Sequence, residues 1–247
     1  MARDLRRRRA RERQDLFVAE GVRTVEELLR SPIEIRGVLV APRLSETARG
    51  RALPPLIHAR NIPVLEVGEP ELASATDTET PQGILAIGRV PDRRLDDVPQ
   101  ADRLRVLVLD AVQDPGNAGT IIRTAAALGV QATIALPGTV DLWNAKVVRS
   151  AMGAHFHHTC FASTWAALDD FRRDRDVALW AADSAGEPAD RLSAPLKLAL
   201  IVGNEGSGLT AAARERAARL VAIPMAGPVA SLNVTVAAGI ILYELSR

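Results

Sequence analysis

The stretch Leu104-Arg105-Val106-Leu107-Val108-Leu109-Asp110-Ala111-Val112-Gln113-Asp114-Pro115-Gly116-Asn117-Ala118-Gly119-Thr120-Ile121-Ile122-Arg123 decides how the chain folds. Its first six residues form an almost continuously apolar run, the pattern of a strand covered on both faces in a parallel sheet. A turn of aspartate, proline and glycine follows, and then a helix expected over 117–128 and closed by Gly129. The same alternation continues to the C-terminus. Strands are expected at 132–136, near Phe156, and at 177–182, 198–202 and 221–223, with helices at 143–152, 165–173, 211–219 and 232–245. Strands alternating with helices imply parallel βαβ units, whose ligands gather in turns at the carboxyl ends of the strands.

Before residue 104 the pattern changes. Pro91-Asp92-Arg93-Arg94-Leu95-Asp96-Asp97-Val98-Pro99-Gln100 is charged, bracketed by prolines and without an apolar period, so 91–103 reads as a linker. Residues 14–90 read as a small α/β domain. Val22, Val25, Leu28 and Leu29 make one helical face that stops at Ser31-Pro32, and strands are expected at 35–40, 62–67 and 83–90, with helical segments at 45–60 and 69–75. Residues 1–13 hold seven arginines (Arg3, Arg6, Arg7, Arg8, Arg9, Arg11, Arg13) against Asp4 and Glu12, a local excess of five positive charges in a chain of net charge +1. This reads as a basic arm suited to a phosphate backbone, or as a plain solvated terminus. The catalytic candidates fall in 104–247.

The composition narrows the function. With 47% apolar and 25% charged residues among 247, the chain is neither disordered nor fibrous, and two domains fit its length. Only 3% of residues are aromatic, which excludes broad stacking platforms for single strands. Cys160 is the single cysteine of the sequence, so an internal disulfide cannot form. No signal-peptide pattern and no 18-residue apolar run is found, so a cytoplasmic protein without a membrane partner is expected.

Three turns carry the candidate chemistry. The first is 110–119, leading into the helix with Arg123. The second is Gly203-Asn204-Glu205-Gly206-Ser207-Gly208-Leu209. The third is Ile223-Pro224-Met225-Ala226-Gly227-Pro228, followed by Val229-Ala230-Ser231-Leu232-Asn233. Glycines in the second turn let backbone approach a ligand closely, or serve the turn sterically. Their order is the reverse of the dinucleotide fingerprint G-x-G-x-x-G, and no G-x-x-x-x-G-K-[ST] phosphate loop occurs, so a nucleotide-dependent oxidoreductase rests on that turn alone. Arg123 and Glu205 each read either as solvated surface or as functional anchors. His155, His157, His158 and Cys160 cluster, but their spacing matches no known zinc site, and no metal is expected.

Taken in order, the three turns resemble the SpoU/TrmH family of RNA ribose 2′-O-methyltransferases, within the SPOUT superfamily. Asp114-Pro115 followed by Asn117-Ala118-Gly119-Thr120-Ile121-Ile122-Arg123 resembles the first family motif. Gly203 to Leu209 resembles the next, and Ile223-Pro224-Met225 with Ser231-Leu232-Asn233-Val234 resembles the last. The stretch 13–30, with Phe17-Val18-Ala19-Glu20-Gly21, is similar to the family's N-terminal RNA-substrate-binding domain. The resemblance implies an α/β protein whose C-terminal parallel-sheet domain is tied in a trefoil knot, preceded by a small α/β substrate-binding domain. It implies a homodimer with a shared active site, S-adenosylmethionine as cofactor, and RNA, rRNA rather than tRNA, as partner. By match, Gly203, Ile223, Met225 and Leu232 would line the cofactor pocket, and Arg123, Asn117, Glu205, Ser231 and Asn233 would be catalytic. The family assigns proton removal to the motif-one arginine. Guanidinium groups stay protonated at neutral pH, so Arg123 is expected to bind the adjacent phosphate and stabilise the forming alkoxide. A ribosome-assembly protein that kept the fold without activity is the competing reading, and intact motif residues argue against it.

Overall fold

Two sheets of opposite character organise the chain, one mixed and mostly antiparallel, the other wholly parallel. The computed structural model describes residues 1–227 and 231–246, so Pro228, Val229 and Ala230 of the third turn lie outside the described residues. The chain divides into two units. The first holds Met1–Asp92 and Trp143–His157, the second Arg93–Leu142 and His158–Arg247.

The first unit runs α1 (Arg8–Gln14), β1 (Leu16–Glu20), α2 (Val22–Arg30), β2 (Ile35–Val40), α3 (Ala48–Arg51), α4 (Leu53–Ala59), β3 (Val64–Glu66), α5 (Glu69–Ala75) and β4 (Ile84–Arg89). Its strands lie in the order β1-β4-β2-β3, with only β2 and β3 parallel. All five residues of β1, a strand that the alternation does not suggest, are buried. The supposed arm is a folded part of this unit. Leu5 joins Leu16, Val18, Leu72 and Leu85 in the core, and buried Arg11 donates to the carbonyls of Leu5 and Arg6 at 2.6 and 3.0 Å. Leu5, buried Ala10 and the guanidinium that closes carbonyls dock the segment with Arg3 and Arg6, which bond Ser74 and Asp77, while Arg7, Arg9 and Arg13 stay exposed.

A second correction concerns residues 143–157. The helix expected over 143–152 shortens to α7 (Ala145–Ser150), and the strand expected near Phe156 is a 3-10 turn, Ala154–Phe156. This segment belongs to the first unit rather than to the sheet domain that flanks it in sequence. Trp143 and Phe156 pack on Phe17 of β1 at centroid distances of 4.5 and 5.9 Å. Arg149 of α7 donates to the buried Glu20 carboxylate at 2.8 Å, whose other oxygen accepts the Asp77 N–H at 2.9 Å. Burial pushes the Glu20 carboxyl up, and these two partners act against that rise.

The second unit runs β5 (Leu104–Leu109), α6 (Pro115–Ala127), β6 (Ala132–Ala135), β7 (Thr159–Ala162), α8 (Trp165–Asp174), β8 (Ala178–Pro188), β9 (Lys197–Val202), α9 (Ala211–Arg216), β10 (Arg219–Ala222) and α10 (Val234–Glu244), with α7 interposed in sequence. Its six strands lie in the order β10-β8-β9-β5-β6-β7, every pair parallel. The expected linker is not free. Val98 is buried and Leu95 packs on the core beside it, and Arg175 donates to the Val98 carbonyl at 2.6 Å. Two apolar side chains in a charged stretch are too few to make a period, yet enough to dock it. Among the described residues no helix is long and apolar enough to cross a membrane.

Candidate active site

The three turns leave β5, β9 and β10 at their carboxyl ends, and β5 and β9 are neighbours in the sheet. Asp110, fully buried at the end of β5, accepts the Thr210 N–H at 2.7 Å and the Thr210 hydroxyl at 3.1 Å. Thr210 in turn caps α9 by accepting the Ala213 N–H. Asn204 Nδ2 donates to the Ala111 carbonyl at 2.9 Å, while its Oδ1 accepts the N–H groups of Gly206 and Ser207. Ala111 holds the left-handed conformation at φ 57°, a geometry that costs a non-glycine residue energy and persists only when its surroundings fix it. The first and second turns are thus stapled by side chains on both sides.

Glycine is obligatory at one point of this arrangement. A Cβ on Gly203 would lie 2.5 Å from the carbonyl carbon and oxygen of Gly208, a backbone contact that cannot move aside. The absent side chain lets the 203–208 turn close on itself, with Asn204 and Gly208 exchanging backbone hydrogen bonds at 2.9 and 3.0 Å.

Glu205 joins the turns at their rim. Its Oε1 accepts Asn117 Nδ2 at 3.0 Å and the Asp114 N–H at 3.2 Å, and its Oε2 accepts the Gln113 N–H at 3.3 Å. Desolvation raises this carboxyl, but the Asn117 amide and the backbone donors outweigh it and hold it below the usual carboxylate range. Asn117 is positioned by Asp114, which caps α6 by accepting the Asn117 N–H at 2.8 Å. Asn233, the cap of α10, donates from Nδ2 to Asn117 Oδ1 at 3.3 Å. A hydrogen-bonded chain Glu205–Asn117–Asn233 therefore links all three turns.

Beside this chain lies a cavity of about 330 Å3, within the range of small-molecule sites. Gly203, Ile223, Met225 and Leu232 line it, as do Glu205 and Ser231. Arg123 stands apart. It sits on the exposed face of α6, and no hydrogen bond or ion pair joins it to the other four candidates among the described residues. Sequence reading missed Asp110, Asn204, Thr210, Asp183 and Arg214. Asp110 carried a usable signal, an acid directly ending an apolar strand; Asp183 and Arg214, which also line the cavity, carried none. Among the described residues no group of three or more His, Cys, Asp or Glu is placed to hold a metal.

A glycine cradle, apolar walls and polar rim groups at the carboxyl edge of a parallel sheet suit a nucleoside-bearing cofactor, and S-adenosylmethionine fits the residues present. Fold and site together define the class, an α/β methyltransferase domain joined to a substrate-binding unit. Residues 104–243 match the SpoU rRNA Methylase family model and residues 1–86 the MRM3-like substrate binding domain. The chain belongs to the SpoU rRNA methylase family. It is 36% identical over 242 residues to the 23S rRNA (guanosine(2553)-2′-O)-methyltransferase RlmP of Bacillus subtilis, covering 98% of this chain and 92% of that one. It is 33% identical to the 23S rRNA (guanosine-2′-O-)-methyltransferase RlmB of Salmonella typhimurium, covering 92% and 96%. The crystal structure of the SpoU methyltransferase AviRb from Streptomyces viridochromogenes, in complex with AdoMet, superposes with a TM-score of 0.88 at 28% identity, covering 100% of this chain and 95% of that one.

Proposed function

We propose that the protein transfers the methyl group of S-adenosylmethionine to a ribose 2′-hydroxyl of ribosomal RNA, on a guanosine of the 23S species. RlmP and RlmB are named for guanosine in 23S rRNA, which supports that choice of nucleoside. The observation that carries the reading is the Glu205–Asn117–Asn233 chain, whose Glu205 lines the same cavity as Gly203, Ile223, Met225 and Leu232.

S-adenosylmethionine supplies an already activated methyl, so the residues must chiefly align the ribose oxygen and relieve it of its proton. Alignment alone contributes on the order of 7 to 11 kcal/mol. Glu205, held ionised by three donors, fixes the Asn117 amide. Asn117 and Asn233 present amide groups to the ribose, and Ser231 lines the cavity. Arg123 binds the adjacent phosphate and stabilises the forming alkoxide, with phosphate or water taking up the proton.

A homodimer is proposed as the working form. Val236, Ile240 and Tyr243 are exposed at four- and three-residue spacing on α10, an apolar stripe that a second copy would cover. The trefoil knot of the second unit and a bacterial cytoplasmic location belong to the same reading.

Transfer of labelled methyl from S-adenosylmethionine to total RNA, with nuclease mapping of the product, tests it. Label in a 2′-O-methylguanosine of 23S rRNA is expected; label confined to tRNA, or none, overturns the proposal. Arg123→Lys should keep rRNA binding within a few-fold while kcat falls about 100-fold. Wild-type turnover in that variant would remove Arg123 from the mechanism.

A further inference from the structure

The cavity holds an ion pair that neither the motifs nor the rim chemistry uses. Asp183 on β8 and Arg214 on α9 both line it, and Arg214 Nη2 meets Asp183 Oδ2 at 2.6 Å. The Asp183 side chain retains only 9% of its exposure, and its Oδ1 accepts the Ala185 N–H at 2.9 Å, which fixes the carboxylate. Arg214 is 46% exposed, so its guanidinium keeps donors free to turn into the cavity.

S-adenosylmethionine ends in an amino acid, with one carboxylate and one ammonium, and both need partners when they leave water. Arg214 is the only cation among the described residues lining the cavity. Two carboxylates line it. Glu205 is already engaged by Asn117, Gln113 and Asp114, which leaves Asp183. Resting on the cofactor assignment above, we infer that the Asp183–Arg214 pair is the subsite for the amino-acid tail, Arg214 taking its carboxylate and Asp183 its ammonium while holding the guanidinium in place. In the free protein the two side chains satisfy each other, and the zwitterion joins the pair without a net change of charge. The pair is a specificity element. It distinguishes the full cofactor from adenosine-bearing molecules that lack a charged tail, while the glycine turn accepts both.

Calorimetric titration of the full chain with two probes tests this. They are S-adenosylhomocysteine and S-adenosyl-3-thiopropylamine, the same nucleoside without the carboxylate. Wild type is expected to bind the first about 10- to 100-fold more tightly than the second, the worth of a charge-assisted hydrogen bond. Arg214→Gln should lose that preference, its affinity for S-adenosylhomocysteine falling to near that for the amine and its affinity for the amine changing less than about two-fold. Arg214→Lys should recover part of the preference, and Asp183→Asn should weaken both probes, which share the ammonium. Equal losses for both probes in Arg214→Gln, or an unchanged preference, overturns the subsite and leaves the pair as a brace between β8 and α9. Wild type that binds neither probe refutes the cofactor assignment instead, so the two failures are distinct.

Discussion

The first and second turns of the site are built differently from the third. Between the first two run the Asp110 bonds to Thr210, the Asn204 bond to Ala111, and the Glu205 bonds to Gln113, Asp114 and Asn117. The third turn is joined to them by a long side-chain hydrogen bond, Asn233 to Asn117 at 3.3 Å. The stapled pair is set before any ligand arrives, whereas Asn233 reaches it through one amide. Preorganised donors cost nothing to reorganise during reaction.

The sharpest break is Gly203→Ala. Its Cβ would press on the Gly208 carbonyl, and loss of about 3 kcal/mol or more is expected in stability or in S-adenosylhomocysteine affinity, read by thermal melting and calorimetry. Asp110→Ala should come next, leaving the Thr210 donors without their acceptor at a cost of about 1 to 3 kcal/mol in urea unfolding, with α9 exchanging amide hydrogens faster. If Asn233→Ala proves as damaging as Asp110→Ala, the contrast between the turns fails. Its expected cost is about 1 kcal/mol of stability from the lost α10 cap, with a fall in kcat larger than any change in melting.

The mildest test is pH. The Glu205 carboxyl is lowered in the folded chain, so its contribution is present above its ordinary value near 4.5 and is lost only as pH falls through the lower folded value. Cofactor binding should therefore stay flat down to about pH 4.5 as far as this group is concerned, and Glu205→Gln should remove the acid limb below it. A binding limb already falling at pH 6 and abolished by Glu205→Gln would contradict the assignment.

The same contrast governs what the sequence could reveal. The strand β5 was legible because burial on both faces leaves Arg105 as its one polar residue, and the turns were legible from the glycines and prolines that break the apolar pattern. The strand β1 was not, since its apolar run is only four residues long before it ends at Glu20. That carboxylate is answered by Arg149, 129 residues away, and no local pattern reports such a partner. The arginine-rich opening misled for the opposite reason, as charge count overshadowed Leu5, a residue that docks it. In the site, Asn117, Glu205 and Asn233 could be named from their turns and are joined by hydrogen bonds, while Asp183 became visible only when β8 and α9 were set side by side.

The return of residues 143–157 to the first unit also limits how such a protein could be cut or recombined. A fragment ending at residue 92 would lack Trp143, Phe156 and Arg149, leaving the Phe17 ring wet and the Glu20 carboxylate without its cation. Exchange of the substrate-binding half between relatives thus needs a second graft inside the catalytic gene segment, and a single crossover at the junction would yield two damaged halves.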